Sequence, residues 1–369
     1  MLIGIDASRA VTTQRTGTEA YAYYLIQAFI EKTRPTTHKI RLYFNQAPPK
    51  NLFTLADHVE NVVIPWPRLW THIRLAAELH RHPPDVFFTP AHVIPLTYRG
   101  RALATIHDLG YRYFPQAHPL SQRLYLHWST AHNARRAHHI LADSQATKTD
   151  LLQFYGTSPD KVTVVYPGLP KSKDQSPVST LHSPVSSLLS SFNATPYFLY
   201  VGTLQPRKNL VRLVQAYAQS GVPHHLVLAG RVGWLAQELL DTLTQQPPAI
   251  RERIHLPGYV SDEEKTVLLT NAAALLYPSL YEGFGFPVLE AQSVGTPVLC
   301  ANSSSLPEVA GDAALLVDPL NVAKIAAAIH QLAHDPLLRQ ELSRKGYQNV
   351  RRFTWENAAA QLLTLITKP

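Results

Sequence analysis

Two carboxylates and two cations carry the most chemistry in this chain. Glu282 and Glu290 stand eight positions apart in Tyr281-Glu282-Gly283-Phe284-Gly285-Phe286-Pro287-Val288-Leu289-Glu290. Gly283 and Gly285 let backbone approach a ligand closely, and Pro287 suits the first turn of a following helix. The free N–H groups and positive dipole end of such a helix form a site for phosphate. The spacing places Glu282 in the loop and Glu290 in the first helical turn. A second loop, Gly202-Thr203-Leu204-Gln205-Pro206-Arg207-Lys208-Asn209-Leu210, offers a forked guanidinium and a mobile ammonium. Asn209 is expected to cap the next helix, leaving Arg207 and Lys208 at its mouth. Such a pair suits a diphosphate whose charge grows as it leaves. Taken singly, Gly-x-Gly is an ordinary tight turn and Arg-Lys an ordinary solvated one.

The elements that must position these loops alternate strand with helix in both halves, the pattern of parallel sheets covered by helices. In the first half Leu2–Asp6, Ile40–Phe44, Asp85–Thr89, Ala102–His107, His139–Ala142 and Val162–Val165 read as strands. Glu19–Glu31, Leu69–Arg81, Ser121–Arg136 and Ala146–Tyr155 read as helices between them. A Pro- and Ser-rich stretch, 169–195, has linker composition. Strands then resume at Tyr197–Val201, His225–Ala229, Arg253–Leu256, Ala273–Tyr277, Pro297–Cys300 and Ala314–Val317. Ser261 and Glu264 form a capping-box pattern, and Thr354 is placed to cap a terminal helix reaching about Ile366. Ligands of open parallel sheets bind beyond the carboxyl ends of the strands, where the loops above fall.

Composition narrows the class. The 369 residues suit two or three domains, and 45% hydrophobic with 16% charged residues is globular. No apolar run approaches a membrane span, and Met1–Asp6 reads as a strand instead of a leader. The single Cys300 has no internal disulfide partner and reads as a small buried hydrophobe, so a cytoplasmic home is expected. Residues 1–168 hold 18 Lys and Arg against 11 Asp and Glu, which places most of the net +8 there. That bias suits an anionic partner such as a phosphorylated substrate or acidic lipid surface. No zinc-finger or RNP-type pattern supports nucleic acid. His80, His82, His138 and His139 lack metal-ligand spacing. Gly283-x-Gly285 lacks a third glycine, since position 288 is Val, which argues against a dinucleotide-binding dehydrogenase.

The Glu282-to-Glu290 string resembles the Glu-x7-Glu signature of retaining glycosyltransferases of family 4. The 202–209 segment resembles that family's Gly-Thr-x-x-x-Arg-Lys-Asn, and the likeness extends to Phe353-Thr354-Trp355-Glu356. It implies the GT-B fold: two Rossmann-like domains facing across a cleft, with a C-terminal helix crossing back. The corresponding division is 1–168 (acceptor side), 169–195 (linker), 196–350 (nucleotide-sugar binding) and 351–369 (crossover helix). It implies a hexosyltransferase in which Glu290 binds the ribose hydroxyls, Glu282 faces donor sugar and diphosphate, and Arg207 and Lys208 neutralise the pyrophosphate. His107, within Thr-Ile-His-Asp-Leu, would lie beside the donor sugar. Gly17 and Thr18 correspond to a Gly-Gly loop facing the phosphates, although Thr18 departs from the second glycine. Gly202, Thr203, Gly230, Arg231, Tyr259, Val260, Gly283, Phe284, Gly285, Val288 and Leu289 complete the implied donor contacts. Ser303–Glu308 resembles the family's Ser-Leu-Pro-Glu-Val helix, with Glu308 structural.

The chain has no Asp-x-Asp, so no metal and no cofactor are expected, and the two cations take the metal's place. The implied acceptor is a saccharide or a polyprenyl-diphosphate-linked glycan. The Gly-Thr-x-x-x-Arg-Lys-Asn form resembles mannosyltransferases of polysaccharide assembly, making GDP-mannose the first expectation for donor. Trp66-Pro67-Arg68-Leu69-Trp70, with Arg74 and Arg81 on one helix face, suits an anionic membrane surface. Leu69, Ile73, Ala76 and Leu79 read equally as a buried stripe. Alternatives are a nucleotide-sugar epimerase of the same fold, or a non-catalytic glycan-binding subunit.

Overall fold

The computed structural model describes residues 1–12, 17–53, 56–66, 68–91, 93–170 and 184–368. Thr16, Pro67 and about half of the expected linker, 171–183, lie outside them. The chain divides into two units by its internal contacts. Unit 1 comprises Met1–Tyr111, His118–Pro170 and Phe353–Pro369, and unit 2 comprises Arg112–Ala117 and Lys171–Arg352.

Unit 1 is built on seven parallel strands. They are β1 (Leu2–Asp6), β2 (Lys39–Phe44), β3 (Val59–Val63), β4 (Val86–Thr89), β5 (Ala102–Ile106), β6 (His139–Ala142) and β7 (Val162–Val164), in the order β3-β2-β1-β4-β5-β6-β7. Strands β4 and β5 are wholly buried, as expected for a parallel sheet covered on both faces. β3 has no counterpart in the sequence reading, because this edge strand is half exposed and carries Glu60 and Asn61 among its valines. The helix Trp355–Thr367 packs into unit 1. Trp355, Ala358, Ala359, Leu362 and Ile366 join Leu25, Phe29 and Ile3 in one core. Thr354 caps it through the Asn357 N–H at 3.2 Å. Gly168 admits that crossing, since a Cβ there would meet the Trp355 nitrogen at 2.2 Å.

Unit 2 repeats the plan with six parallel strands. These are β8 (Tyr197–Val201), β9 (His225–Ala229), β10 (Ile254–Gly258), β11 (Ala274–Tyr277), β12 (Val298–Ala301) and β13 (Leu315–Val317), ordered β10-β9-β8-β11-β12-β13. The helix Leu210–Ser220 buries Leu213, Val214 and Tyr217 and ends at Gly221 in the left-handed region. The capping box at Ser261 and Glu264 forms in both directions. Cys300 is fully buried.

Two expectations change. Part of the stretch read as linker is a helix, Pro184–Ser191, held by buried Val185 and Phe192. Phe192 stacks on His225 at 4.3 Å, an apolar anchor that Pro/Ser composition masks. The helix expected over Leu69–Arg81 is a π-turn, Thr71–Leu75, followed by Ala76–Arg81. Ala76 and Leu79 are buried, but Leu69 and Ile73 face solvent, so the stripe is only half a core face. Leu69 precedes the π-turn at φ 54°, and Ile73 lies within the turn, whose wider winding breaks the 3.6-residue repeat that the stripe assumes.

Candidate active site

In each sheet the strand order reverses beside the first strand, β1 in unit 1 and β8 in unit 2. The loops leaving the carboxyl ends there diverge and open a crevice. Unit 2 places Arg207, Lys208 and Glu282 on such loops; in unit 1 the loop after β1 leads to Gly17 and Thr18, whereas His107 follows β5, further along the sheet.

In unit 2, β8 leads through Gly202 to a 3-10 turn, Pro206–Lys208, and β11 leads to the loop carrying Glu282. Glu282 is buried. Its Oε2 accepts from the Arg207 guanidinium at 2.8 Å, and its Oε1 accepts from Lys208 Nζ and Ser279 Oγ, each at 2.5 Å. Burial pushes the carboxyl's pKa up, but the Lys208 and Arg207 charges outweigh it and hold the group at about 2. Lys208 is itself buried and also donates to the Tyr277 hydroxyl at 2.7 Å. Arg207 donates to the Tyr281 carbonyl at 2.6 Å. Two cations thus face one carboxylate, a cluster with one excess positive charge.

Asn209 does not cap the helix it precedes, contrary to expectation. It adopts φ 63°, and its side-chain amide donates instead to the Pro278 and Pro319 carbonyls at 3.0 and 2.6 Å. The amide therefore ties down the start of the Glu282 loop. Ser303, Ser304 and Ser305 tie down the rest. Ser304 Oγ accepts the Glu282 N–H at 2.9 Å, and Ser305 Oγ donates toward the Glu282 and Phe284 carbonyls at 2.9 and 2.6 Å. Ser303 Oγ donates toward the Leu280 carbonyl at 3.2 Å. The serine run was read only as a resemblance; its clamp on a loop some twenty residues earlier has no local signature.

The helix after the loop is Phe286–Ser293, with Gly285 at its start (φ 118°) and Pro287 in its first turn. Glu290 lies beyond that first turn, a correction to its expected place. It accepts from Lys265 Nζ at 2.8 Å, and Lys265 also reaches Asp262 at 3.1 Å. Burial would lower the Lys265 pKa, but Glu290 and Asp262 raise it. Lys265 was not found in the sequence, because a lysine on an exposed-looking helix has no distinguishing neighbour. The side chains of Phe284, Val288 and Leu289 are interior, and the Val288 N–H already bonds the Gly285 carbonyl at 3.0 Å. Val288 is therefore a core residue whose side chain and N–H are both engaged, and any contact from Phe284 or Leu289 falls to backbone.

Gly202 and Gly230 are packing requirements. A Cβ on Gly230, at φ 151°, would meet the Gly202 carbonyl oxygen at 2.0 Å. Their tight approach carries Thr203 and Arg231 outward side by side. The Arg231 guanidinium lies 4.6 Å from the centroid of the Tyr259 ring, which is exposed, with Val260 adjacent. A flat aromatic face backed by a cation is a stacking platform.

Unit 1 contributes a second cluster. His107 follows β5 directly, and its Nδ1 lies 2.7 Å from Asp143 Oδ2 at the end of the neighbouring β6. Its Nε2 lies 2.9 Å from the Pro90 carbonyl after β4. A carbonyl can only accept, so Nε2 carries a proton. A further proton lies between Nδ1 and Oδ2, and the pair is neutral overall whichever atom holds it. Burial alone would lower the His107 pKa, but the Asp143 charge and hydrogen bond raise it, so the ring keeps its proton toward higher pH. Tyr21, on the helix Gly17–Thr33, sets its ring edge-on to His107 at 4.7 Å and its hydroxyl 3.2 Å from Thr105 Oγ1. The helix that begins at Gly17 and Thr18 is thereby tied to His107. Asp143 and Tyr21 were missed by sequence reasoning; only Asp143's place just after a predicted strand was a usable signal. Asp143 Oδ1, and Asp6 Oδ2 at the end of β1, are buried and accept nothing among the described residues. Asp108, by contrast, caps the next turn through the Gly110 N–H at 2.8 Å.

Among the described residues no group of three or more His, Cys, Asp or Glu could hold a metal ion. No helix among them is long and apolar enough to cross a membrane.

Two doubly wound parallel sheets, one with a charged cluster at its β8/β11 switch point and the other with one at the carboxyl ends of β5 and β6, define the GT-B class of glycosyltransferase folds. Solved structures agree in fold. Sucrose-phosphate synthase from Thermosynechococcus elongatus superposes with a TM-score of 0.74 at 20% identity, over 99% of this chain and 98% of that one. Anabaena HepE, solved with UDP and glucose, gives 0.71 at 18% identity, over 100% and 99%. Residues 15–173 match the family described as Glycosyltransferase Family 4, and residues 189–349 match Glycosyl transferases group 1. An O-antigen chain mannosyltransferase B of Escherichia coli is 35% identical over 272 residues, 71% of this chain and 69% of the relative. An O-antigen chain mannosyltransferase of Salmonella typhimurium is 27% identical over 67% of this chain and 65% of its own length, just under two thirds. The chain belongs to glycosyltransferase family 4. It is a hexosyltransferase.

Proposed function

We propose that the protein transfers mannose from GDP-mannose to a saccharide or polyprenyl-diphosphate-linked glycan, with retention of anomeric configuration. The observation that carries the transfer reading is the Arg207–Lys208–Glu282 cluster at the β8/β11 switch point. Its excess positive charge is fixed in place before any diphosphate arrives, which is the preorganisation that stabilises a departing anion. The C1–O bond to the β-phosphate breaks, the acceptor oxygen bonds C1 from the same face, and the acceptor's proton passes to the leaving phosphate oxygen. No metal enters this scheme, so activity should survive chelation by EDTA. Glu290, held by Lys265, is the ribose carboxylate of the reading, and the Arg231–Tyr259 platform is its base contact. Gly17 and Thr18 are the phosphate-facing backbone of unit 1. His107 holds the sugar, and the acceptor-only oxygens of Asp6 and Asp143 suit hydroxyl donors. Mannose rests on the named activities of the Escherichia coli and Salmonella typhimurium relatives, and the acceptor on the O-antigen chain in those names. A cytoplasmic location fits a nucleotide-sugar donor.

The test is a thermal-shift screen against GDP, UDP, ADP, TDP and their sugar conjugates, with Glu290→Ala alongside. A ligand at 100 times its Kd stabilises by roughly 2.7 kcal/mol. GDP and GDP-mannose are expected to raise the melting temperature of the native protein and not of Glu290→Ala. Stabilisation by UDP alone would replace the donor. Silence with every nucleotide would overturn the reading.

A further inference from the structure

Most of the large exposed aromatic and apolar side chains of unit 1 gather on two adjoining elements. Trp66, Leu69 and Ile73 lead into and through the π-turn, and Leu124, Tyr125 and Trp128 lie on the helix Leu120–Arg136; all six are between 38% and 68% exposed. A globular helix normally turns such residues inward. Here Leu120, Leu124 and Trp128, at spacings of four, form an outward stripe beside Tyr125. The His72 ring meets Trp128 edge-on at 5.8 Å, so the two elements share one face. Leu69 is held outward at φ 54°, a left-handed conformation that an aliphatic side chain rarely accepts. Its strain is maintained where burial would offer nothing, since Leu69 is 68% exposed.

The charge around this face has one sign. From Asn61 to Ala77 and from Leu109 to Ala142 the chain contains no Asp or Glu. Arg68 and Arg74 project beside the tryptophans, and Arg74 lies over the Trp66 ring at 5.4 Å. Arg123 stands on the second element.

We infer that this face of unit 1 docks on the headgroup layer of an anionic lipid bilayer, inserting Trp66, Leu69, Leu124 and Trp128 while the arginines meet the lipid phosphates. Charge complementarity selects this occupant. A protein partner would need acidic residues to match an acid-free surface, whereas anionic lipid supplies negative charge and an apolar layer together. Tryptophan and tyrosine favour that interface because their rings have an apolar body and a polar edge. The assignment deepens the lipid-linked-acceptor reading and rests on it for its purpose, although the binding itself requires no turnover.

Sedimentation of the full chain with vesicles tests it, comparing phosphatidylcholine alone with phosphatidylcholine mixed with phosphatidylglycerol. Binding is expected only to the mixed vesicles and is expected to fall at high salt. Each of Arg68→Gln and Arg74→Gln should lower the partition coefficient roughly five-fold. Leu69→Ser combined with Leu124→Ser should abolish sedimentation while leaving the melting temperature unchanged, because both side chains are more than half exposed. Equal binding to the two vesicle types, or undiminished binding by that double variant, overturns the inference. So does a dimer that the double variant converts to monomer in sedimentation velocity, since the face would then be a self-interface. A chain that sediments with mixed vesicles but ignores every nucleotide refutes the transfer reading alone; one that binds GDP but no vesicle refutes the docking alone.

Discussion

Replacing Glu282 by glutamine keeps the shape of the side chain and removes its charge. In the native protein the carboxyl is held at about 2 where 4.5 is ordinary, chiefly by Lys208 and Arg207 acting against burial. That difference corresponds to roughly 3 kcal/mol of folded-state preference for the carboxylate. Breaking a buried ion pair by removing one partner costs a similar 3–5 kcal/mol or so. Because the folded pKa is depressed, the contribution is complete above the unfolded value and disappears as pH falls toward the folded one. Glu282→Gln should therefore be less stable than the native protein by ~3 kcal/mol at neutral pH, with the gap narrowing to roughly half near pH 3. Calorimetry of unit 2's transition across this pH range measures it. Turnover should fall by about 10²-fold, the size associated with losing one preorganised charge contact. A neutral-pH gap below ~1 kcal/mol would show that the cluster is as weak as a solvated surface pair. Unchanged turnover would remove Glu282 from the reaction.

Asp143→Asn removes the charge that raises the His107 pKa, so the imidazole should lose its proton at lower pH. An NMR titration of the ring, and the His-dependent limb of the pH–rate profile, should both move downward; an unmoved limb would confine Asp143 to packing. Gly230→Ala should destabilise unit 2 by at least ~2 kcal/mol in urea titration, since its Cβ would clash with the Gly202 carbonyl at 2.0 Å in a positive-φ conformation. Gly17→Ala has open space and should leave stability unchanged or slightly raised. If the Gly17 backbone faces the donor phosphates, the same variant should raise the donor KM several-fold, and an unaltered KM would remove that contact.

The strands of both sheets were legible in the sequence because parallel strands, buried on both faces, are short apolar runs between helical periods. The caps at Ser261 and Thr354 were legible because their partners lie three residues away. β3 was not, as an edge strand needs only half a hydrophobic pattern. The helix at Pro184–Ser191 was hidden because Ser and Pro outnumber its few anchoring residues.

The residue types of the site, Glu282, Glu290, Arg207, Lys208 and His107, were written in two loops and one strand end. What each touches was decided by strand order. β11 lies beside β8, and that adjacency brings Glu282 onto cations 74 and 75 positions earlier. β6 lies beside β5, and only that pairing gives His107 its Asp143. Asn209 looks locally like a helix cap, yet the tertiary structure offers its amide two carbonyls, from Pro278 and Pro319. Local pattern is set by contacts within a few positions, which a linear sequence displays. Charge state, burial and the pairing of ionic groups depend on contacts between distant positions, and these exist only once the sheets have formed.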